Sequence, residues 1–118
     1  WDAAGFAGDN QGVVEGTVLT LDLGGALAFR ALGDPKGRTF GPRVDELDVL
    51  RCDDGNPHAV RLFADMRPAD IEQAIRVVVR ISDARIRQAI LDNGGSRTLA
   101  EKMIARKADM AGRLASVD

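Results

Sequence analysis

Residues 8–25 read GDNQGVVEGTVLTLDLGG, and the meaning of this stretch decides the fold. Val13, Val14, Val18, Leu19, Leu21 and Leu23 are β-branched or apolar strand formers, and Gly12 and Gly16 punctuate them. The pattern predicts a β-hairpin at about 13–23. A hairpin of that length returns Asn10 and Asp22 to the same end of its ladder. An amide oxygen and a carboxylate held side by side are hard oxygen ligands, suited to Mg²⁺ carrying a nucleotide phosphate. Asn10 and Asp22 are therefore the candidate metal ligands.

Working outward, residues 1–12 are rich in Gly and Ala and read as a loop. The stretch from 24 to 46, GGALAFRALGDPKGRTFGPRVDE, holds five Gly and two Pro among scattered apolar residues. It predicts a long irregular segment over about 26–43, with a strand extension or a short helical turn over 26–32. Loops this long inside a compact domain are usually functional.

From Val44 onward the pattern turns helical. Val44, Leu47 and Leu50 recur at three-residue steps until Asp53-Asp54-Gly55-Asn56-Pro57 breaks the run. A second short helix is expected over 58–66, with Val60, Phe63 and Ala64 on one side. Pro68 stands where a first-turn proline belongs, and Ile71, Ala74, Ile75, Val78 and Val79 make an apolar face ending near Ile81. Ser82 is an N-cap candidate for a fourth helix, which Asn93-Gly94-Gly95 stops with a left-handed cap. Ser96 or Thr98 caps the last helix, which runs to about Ala115. Its stripe is Leu99, Met103, Ile104, Met110 and Leu114. The fold class is α+β: a hairpin followed by a bundle of about five helices. One domain over 1–118 is expected, with a loop and hairpin over 1–25, the irregular segment over 26–43 and helices over 44–118.

Composition bounds the function. At 118 residues, 45% hydrophobic and 29% charged, the chain matches a globular domain rather than a disordered one. Aromatics make up only 4%, which argues against a stacking platform for single-stranded nucleic acid. Net charge is −2 but uneven: residues 1–75 carry −6 and residues 76–118 carry +4. The simplest account is two halves that face one another or solvent; a basic face alone confers no specificity. Cys52 is the single cysteine, so no intrachain disulfide can form. No apolar run approaches the ~18 residues of a membrane span, and the first ten residues lack the features of a signal peptide. The opening Trp1, without a Met, suggests a piece of a longer protein.

Several sites are excluded by residue type. Gly24, Gly25, Gly33 and Gly37 do not follow a Walker A or dinucleotide-binding spacing. His58 is the one histidine, so it has no partner for a zinc site; a solvent-facing or capping role is expected for it. Cys52 sits beside Asp53 and Asp54 and reads as a structural or surface thiol.

These residues carry a resemblance. Gly8-Asp9-Asn10, the hairpin, and then Leu21-Asp22-Leu23-Gly24 are similar to the C-terminal lobe of atypical kinase-like domains. That group is phosphatidylinositol 3-/4-kinase-like and HipA-like, and such domains occur in bacterial effector and phage-associated proteins. The twelve residues from Asn10 to Asp22 match the spacing of the group's catalytic-loop Asn and metal-binding Asp. LDLGGALAFRALGDPKG resembles an Asp-x-Gly-Gly…Phe-Arg-Ala…Gly…Lys pattern of the same kind of domain.

The resemblance implies a Mg-ATP-dependent phosphotransferase, with Mg²⁺ on Asn10 and Asp22. Gly24 and Gly25 would give the tight turn after the metal ligand, and Arg30 and Lys36 would sit on a substrate or activation segment, where they meet a phosphate or an acidic group. The group's catalytic Asp lies five residues before the Asn, and Gly5 occupies that position here; Asp9 and Asp2 stand nearby, and Asp9 is the candidate base. The implied partners are a nucleotide, an N-terminal lobe supplied by a longer parent, and a protein substrate. Without that lobe the chain is expected to be inactive. The implied location is the cytoplasm or, for an effector, a host cell. Two other classes stay open: a non-catalytic, pseudokinase-like interaction domain, and a DNA-binding helical module suggested by SRTLAEKMIARKADMAGRL at 96–114.

Overall fold

The computed structural model describes residues 11–20, 26–30 and 32–116. Among them the chain is α+β, with one two-stranded antiparallel sheet followed by five helices. They fall into two compact units. One is Trp1–Phe40 with Asp45–Met66, and the other is Gly41–Val44 with Arg67–Asp118.

The first unit opens with β1 (Gln11–Val14) and β2 (Thr17–Thr20), paired from Gln11↔Thr20 to Val14↔Thr17. Glu15 and Gly16 form the connecting turn with φ of 49° and 77°. Two positive φ values in a two-residue loop are what the twist of a tight hairpin requires. Glycine reaches that region freely, whereas Glu15 enters it against the contact of its Cβ with the backbone. The ladder is therefore centred a few residues earlier than the strand formers alone predict.

The irregular segment has an internal register. Phe29 and Pro35 form an antiparallel bridge, flanked by hydrogen bonds from Lys36 N to Ala28 O (2.8 Å) and Arg30 N to Asp34 O (2.7 Å). Gly33, at φ 96°, allows the return. A 3₁₀ turn at Gly37–Thr39 follows, and it leads into the buried Phe40.

Two short helices complete this unit. α1 (Glu46–Val49) is a single turn, and α2 (Pro57–Phe63) begins with Pro57 in its first turn. Asn56 caps α2: its Oδ1 accepts from Ala59 N at 3.0 Å while the whole residue is buried. His58, expected to face solvent or to cap, does neither. It is buried, because Asn56 already supplies the cap and the helix start turns His58 inward beside the fully buried Ala59.

The second unit is built on α5 (Arg97–Ala115), which packs against both α3 (Pro68–Val79) and α4 (Asp83–Asp92). Each start is fixed locally. Asp70 in the first turn of α3 accepts from Arg67 N and from the Arg67 guanidinium, all at 2.9–3.0 Å. Ser82 Oγ accepts from Arg85 N at 3.1 Å to start α4, and Ser96 Oγ accepts from Leu99 N at 3.0 Å to start α5. α4 ends as the sequence predicts, with Gly94 at φ 83°. Gly95 N donates to Ile90 O (2.8 Å) and Gly94 N to Leu91 O (3.2 Å), the paired bonds of a Schellman end. A Cβ on Gly95 would lie 2.9 Å from Ile90 O, so this position needs glycine for close approach.

A four-residue strap, Gly41–Val44, belongs to this unit although more than 60 residues separate it from the α5 side chains that hold it. Arg106 is buried and its Nη1 donates to Gly41 O (2.8 Å) and Arg43 O (2.7 Å). Arg113 Nη2 donates to Val44 O at 2.9 Å, and Val44 N donates to Asp109 Oδ2 at 2.9 Å. That last bond lowers the Asp109 carboxyl below its ordinary range, and Arg113 acts in the same direction. It also explains why the helical pattern read from Val44 begins only at Glu46: both backbone groups of Val44 are committed to α5.

Candidate functional site

Asn10 and Asp22, the candidate metal ligands, lie outside the described residues, as do Asp9, Gly24 and Gly25. The hairpin between them is described. Gln11, which follows Asn10, pairs with Thr20, which precedes Asp22 by two residues. The strands themselves are exposed, including Val13, Val14, Val18 and Leu19.

Lys36 and Arg30 do fall in described segments, and the loop register brings both to one cleft of about 270 Å³ in the first unit. The bridge at Phe29 and Pro35 sets them on its opposite strands, one residue beyond each bridged position. Lys36 Nζ lies 5.9 Å from the centroid of the Phe40 ring, within reach of an attraction to its π-face. Thr39 Oγ1 donates to Lys36 O at 2.6 Å, closing the 3₁₀ turn against the cleft.

The remaining wall comes from α1 and the residue before it. Asp45, Glu46 and Val49 complete the cleft lining. Two cations thus face a site that also carries two carboxylates. The patterns read from the sequence pointed to Arg30 and Lys36 but not to Thr39, Asp45 or Glu46. Only the return of the 26–40 loop places those three beside the cations, and no short-range motif signals it. Lys36, Asp45 and Glu46 each already have partners of their own.

Among the described residues, no three His, Cys, Asp or Glu side chains gather as a metal site. Nor is any helix long and apolar enough to cross a membrane. Four of the nine basic side chains of residues 76–118 bond within the second unit. Arg106 and Arg113 hold the strap, Lys107 bonds Ile81 O (2.8 Å) and pairs with Asp83, and Arg87 bonds Glu101 at 2.8 Å. A duplex-binding face needs cations directed at phosphates, and these four are directed at the protein's own oxygens.

No protein-family model, curated protein or solved structure matches the chain. Any functional reading therefore stands on its own residues.

Proposed function

We propose that this chain carries the C-terminal lobe of a Mg-ATP-dependent phosphotransferase of the atypical kinase-like kind. Asn10 and Asp22 are its metal ligands and Asp9 its candidate base, with Gly24 and Gly25 turning the backbone after the second ligand. Bound Mg-ATP would supply the transferable phosphoryl group and the charge neutralisation that such transfer requires. The observation that supports this reading is the ladder register. A hairpin closed at Glu15-Gly16 and opening at Gln11↔Thr20 is the connection that an Asn and an Asp twelve residues apart need if they are to share one ion. Asn and Asp oxygens are the right type for Mg²⁺, which binds one or two protein carboxylates together with substrate phosphates. Transfer of this kind also needs a loop or lobe that covers the nucleotide phosphates.

A second reading is a kinase-like module that binds a protein partner without catalysis. It is favoured by the exposed Val13, Val14, Val18 and Leu19 on both sides of the hairpin, since a free two-stranded ladder is marginally stable in water.

Titration with Mn²⁺-ATP, followed by amide NMR, separates the two. Paramagnetic broadening centred on Asn10 and Asp22, and abolished by Asp22→Ala, is expected for the phosphotransferase lobe. Weak broadening spread evenly over the acidic residues would eliminate the metal site and leave the interaction module.

A further inference from the structure

We infer that the corner where α3 meets α4 is a docking site for an acidic peptide segment that carries aliphatic anchors between its carboxylates. The sequence there is RVVVRISDAR at 76–85. α3 buries Ile75 and turns Val78 and Val79 partly inward, so the helical step leaves Arg76 and Val77 exposed. Helical backbone continues through Arg80 (φ −70°, ψ −19°), which places Arg80 one turn beyond Arg76 and Ile81 one turn beyond Val77. Neighbours at that spacing stand about 5–6 Å apart. Two arginines therefore run beside two aliphatic side chains, Val77 at 61% exposure and Ile81 at 44%. Arg85, exposed in the first turn of α4, adds a third cation past the corner.

Among the described residues, none of Arg76, Arg80 and Arg85 takes part in an ion pair or a side-chain hydrogen bond. Asp83, the one acid within 76–85, is already paired with Lys107. Lys107 also donates to Ile81 O at 2.8 Å, which ties the corner to α5. The surface is thus complementary to carboxylates, and the planar fork of an arginine grips a carboxylate through two hydrogen bonds. Phosphates suit the same fork, but a nucleic-acid backbone makes no use of the exposed Val77 and Ile81. An anionic membrane takes cations and aliphatics together, yet such sites gather ~4–8 Lys or Arg with aromatic or leucine anchors. RVVVRISDAR has three arginines and no aromatic or leucine. An acidic peptide with leucines between its carboxylates covers both kinds of group at once.

The probe is the peptide Glu-Glu-Leu-Glu-Glu-Leu-Glu-Glu, titrated into the full chain and followed by amide NMR. Saturable shifts confined to the end of α3 and the start of α4 are expected. A peptide with Ser for both Leu, and one with Gln for every Glu, should each bind at least about fivefold more weakly. Arg76→Gln, Arg80→Gln and Arg85→Gln should each weaken the parent peptide about threefold, the worth of one exposed ion pair. Val77→Ser should weaken it about fivefold. The three arginines have no partner to lose, so these variants keep the fold. Arg97→Gln, beyond the far end of α4 (about 15 Å of helix), is the control and should bind as the unmodified chain does. Equal binding of the serine peptide would reduce the corner to a non-specific basic surface and overturn the inference. Tighter binding of a short DNA duplex, or of phosphatidylcholine vesicles containing phosphatidylserine, would overturn it in favour of nucleic acid or membrane. Shifts that never saturate, or that survive Arg80→Gln unchanged, would leave no site. The titration holds no nucleotide or metal ion, and Asp22→Ala should bind the peptide unchanged, so the outcome is separate from the phosphotransferase reading.

Discussion

Replacing Arg106 by Met removes its bonds to Gly41 O and Arg43 O while keeping most of the side chain's apolar stem. The guanidinium donates to Gly41 O at 2.8 Å and to Arg43 O at 2.7 Å from a residue only 7% exposed. A hydrogen bond from a charged donor contributes about 1.5–3 kcal/mol, and a carbonyl left without its partner keeps its desolvation cost. Both bonds are only partly buried, so the lower end applies to each, giving a loss of about 3 kcal/mol. Against a typical total of ~5–15 kcal/mol that is a large fraction. With a urea slope of ~1–3 kcal/mol/M, the unfolding midpoint should fall by roughly 1–3 M. Urea unfolding followed by circular dichroism reads the midpoint, and amide exchange assigns it, because two compact units can unfold separately. The Val44 amide, bonded to Asp109, should lose protection first. Arg87→Met, which removes only the exposed bond to Glu101, is the control and should leave the midpoint where it is. A midpoint for Arg106→Met indistinguishable from that control would refute the assignment of the strap to α5.

Two other outcomes follow from local geometry. Glu15→Asn should stabilise the hairpin by about 0.5–1 kcal/mol, because Asn accepts the left-handed backbone that Glu15 adopts at φ 49° at lower cost; slower amide exchange at Val13 and Val18 checks it, and unchanged exchange counts against the turn. The Arg67 side chain, and then its backbone N–H, hold the Asp70 carboxyl at about 2, below its ordinary 3.8. The contribution of this pair to folding is complete above pH 3.8 and fades as pH falls through about 2. Asp70→Asn should therefore destabilise α3 at neutral pH and converge with the unmodified chain below pH 2, while Arg67→Ala moves the Asp70 midpoint upward in a carbon-detected titration. A midpoint that stays put would contradict the bidentate pair.

The parts of this fold visible in the sequence are those governed by short-range chemistry. Ser82 and Ser96 cap where Ser preceding an apolar-periodic run is expected to cap, Pro68 opens α3, and Gly94 adopts the left-handed end. The hairpin is visible for the same reason, although its turn falls on Glu15, a residue whose own preference runs against it. What escapes is set by distant partners. Arg106 sits among the surface-type charges of an amphipathic helix, and nothing within seven residues signals that two carbonyls more than 60 positions earlier make it a buried residue. Asn56 hides as a helix start within a run read as a breaker. Asp45 and Glu46 reach the cleft only through the bridge between Phe29 and Pro35, a contact with no periodicity behind it. Of the metal-site reading, only the intervening ladder falls among the described residues.

The strap also sets the order of events during synthesis. Gly41–Val44 leaves the ribosome more than 60 residues ahead of Arg106 and Arg113, the side chains that later bind it. Until α5 is made, its carbonyls have only water to bond, and α3 and α4 lack the helix against which both pack. A fragment starting at Arg67 never regains the strap at all. Nascent chains halted before Arg97 should thus carry a protease-sensitive α3–α4 pair, and any expression boundary drawn at Arg67 removes a tether that the sequence places on the other side of the cut.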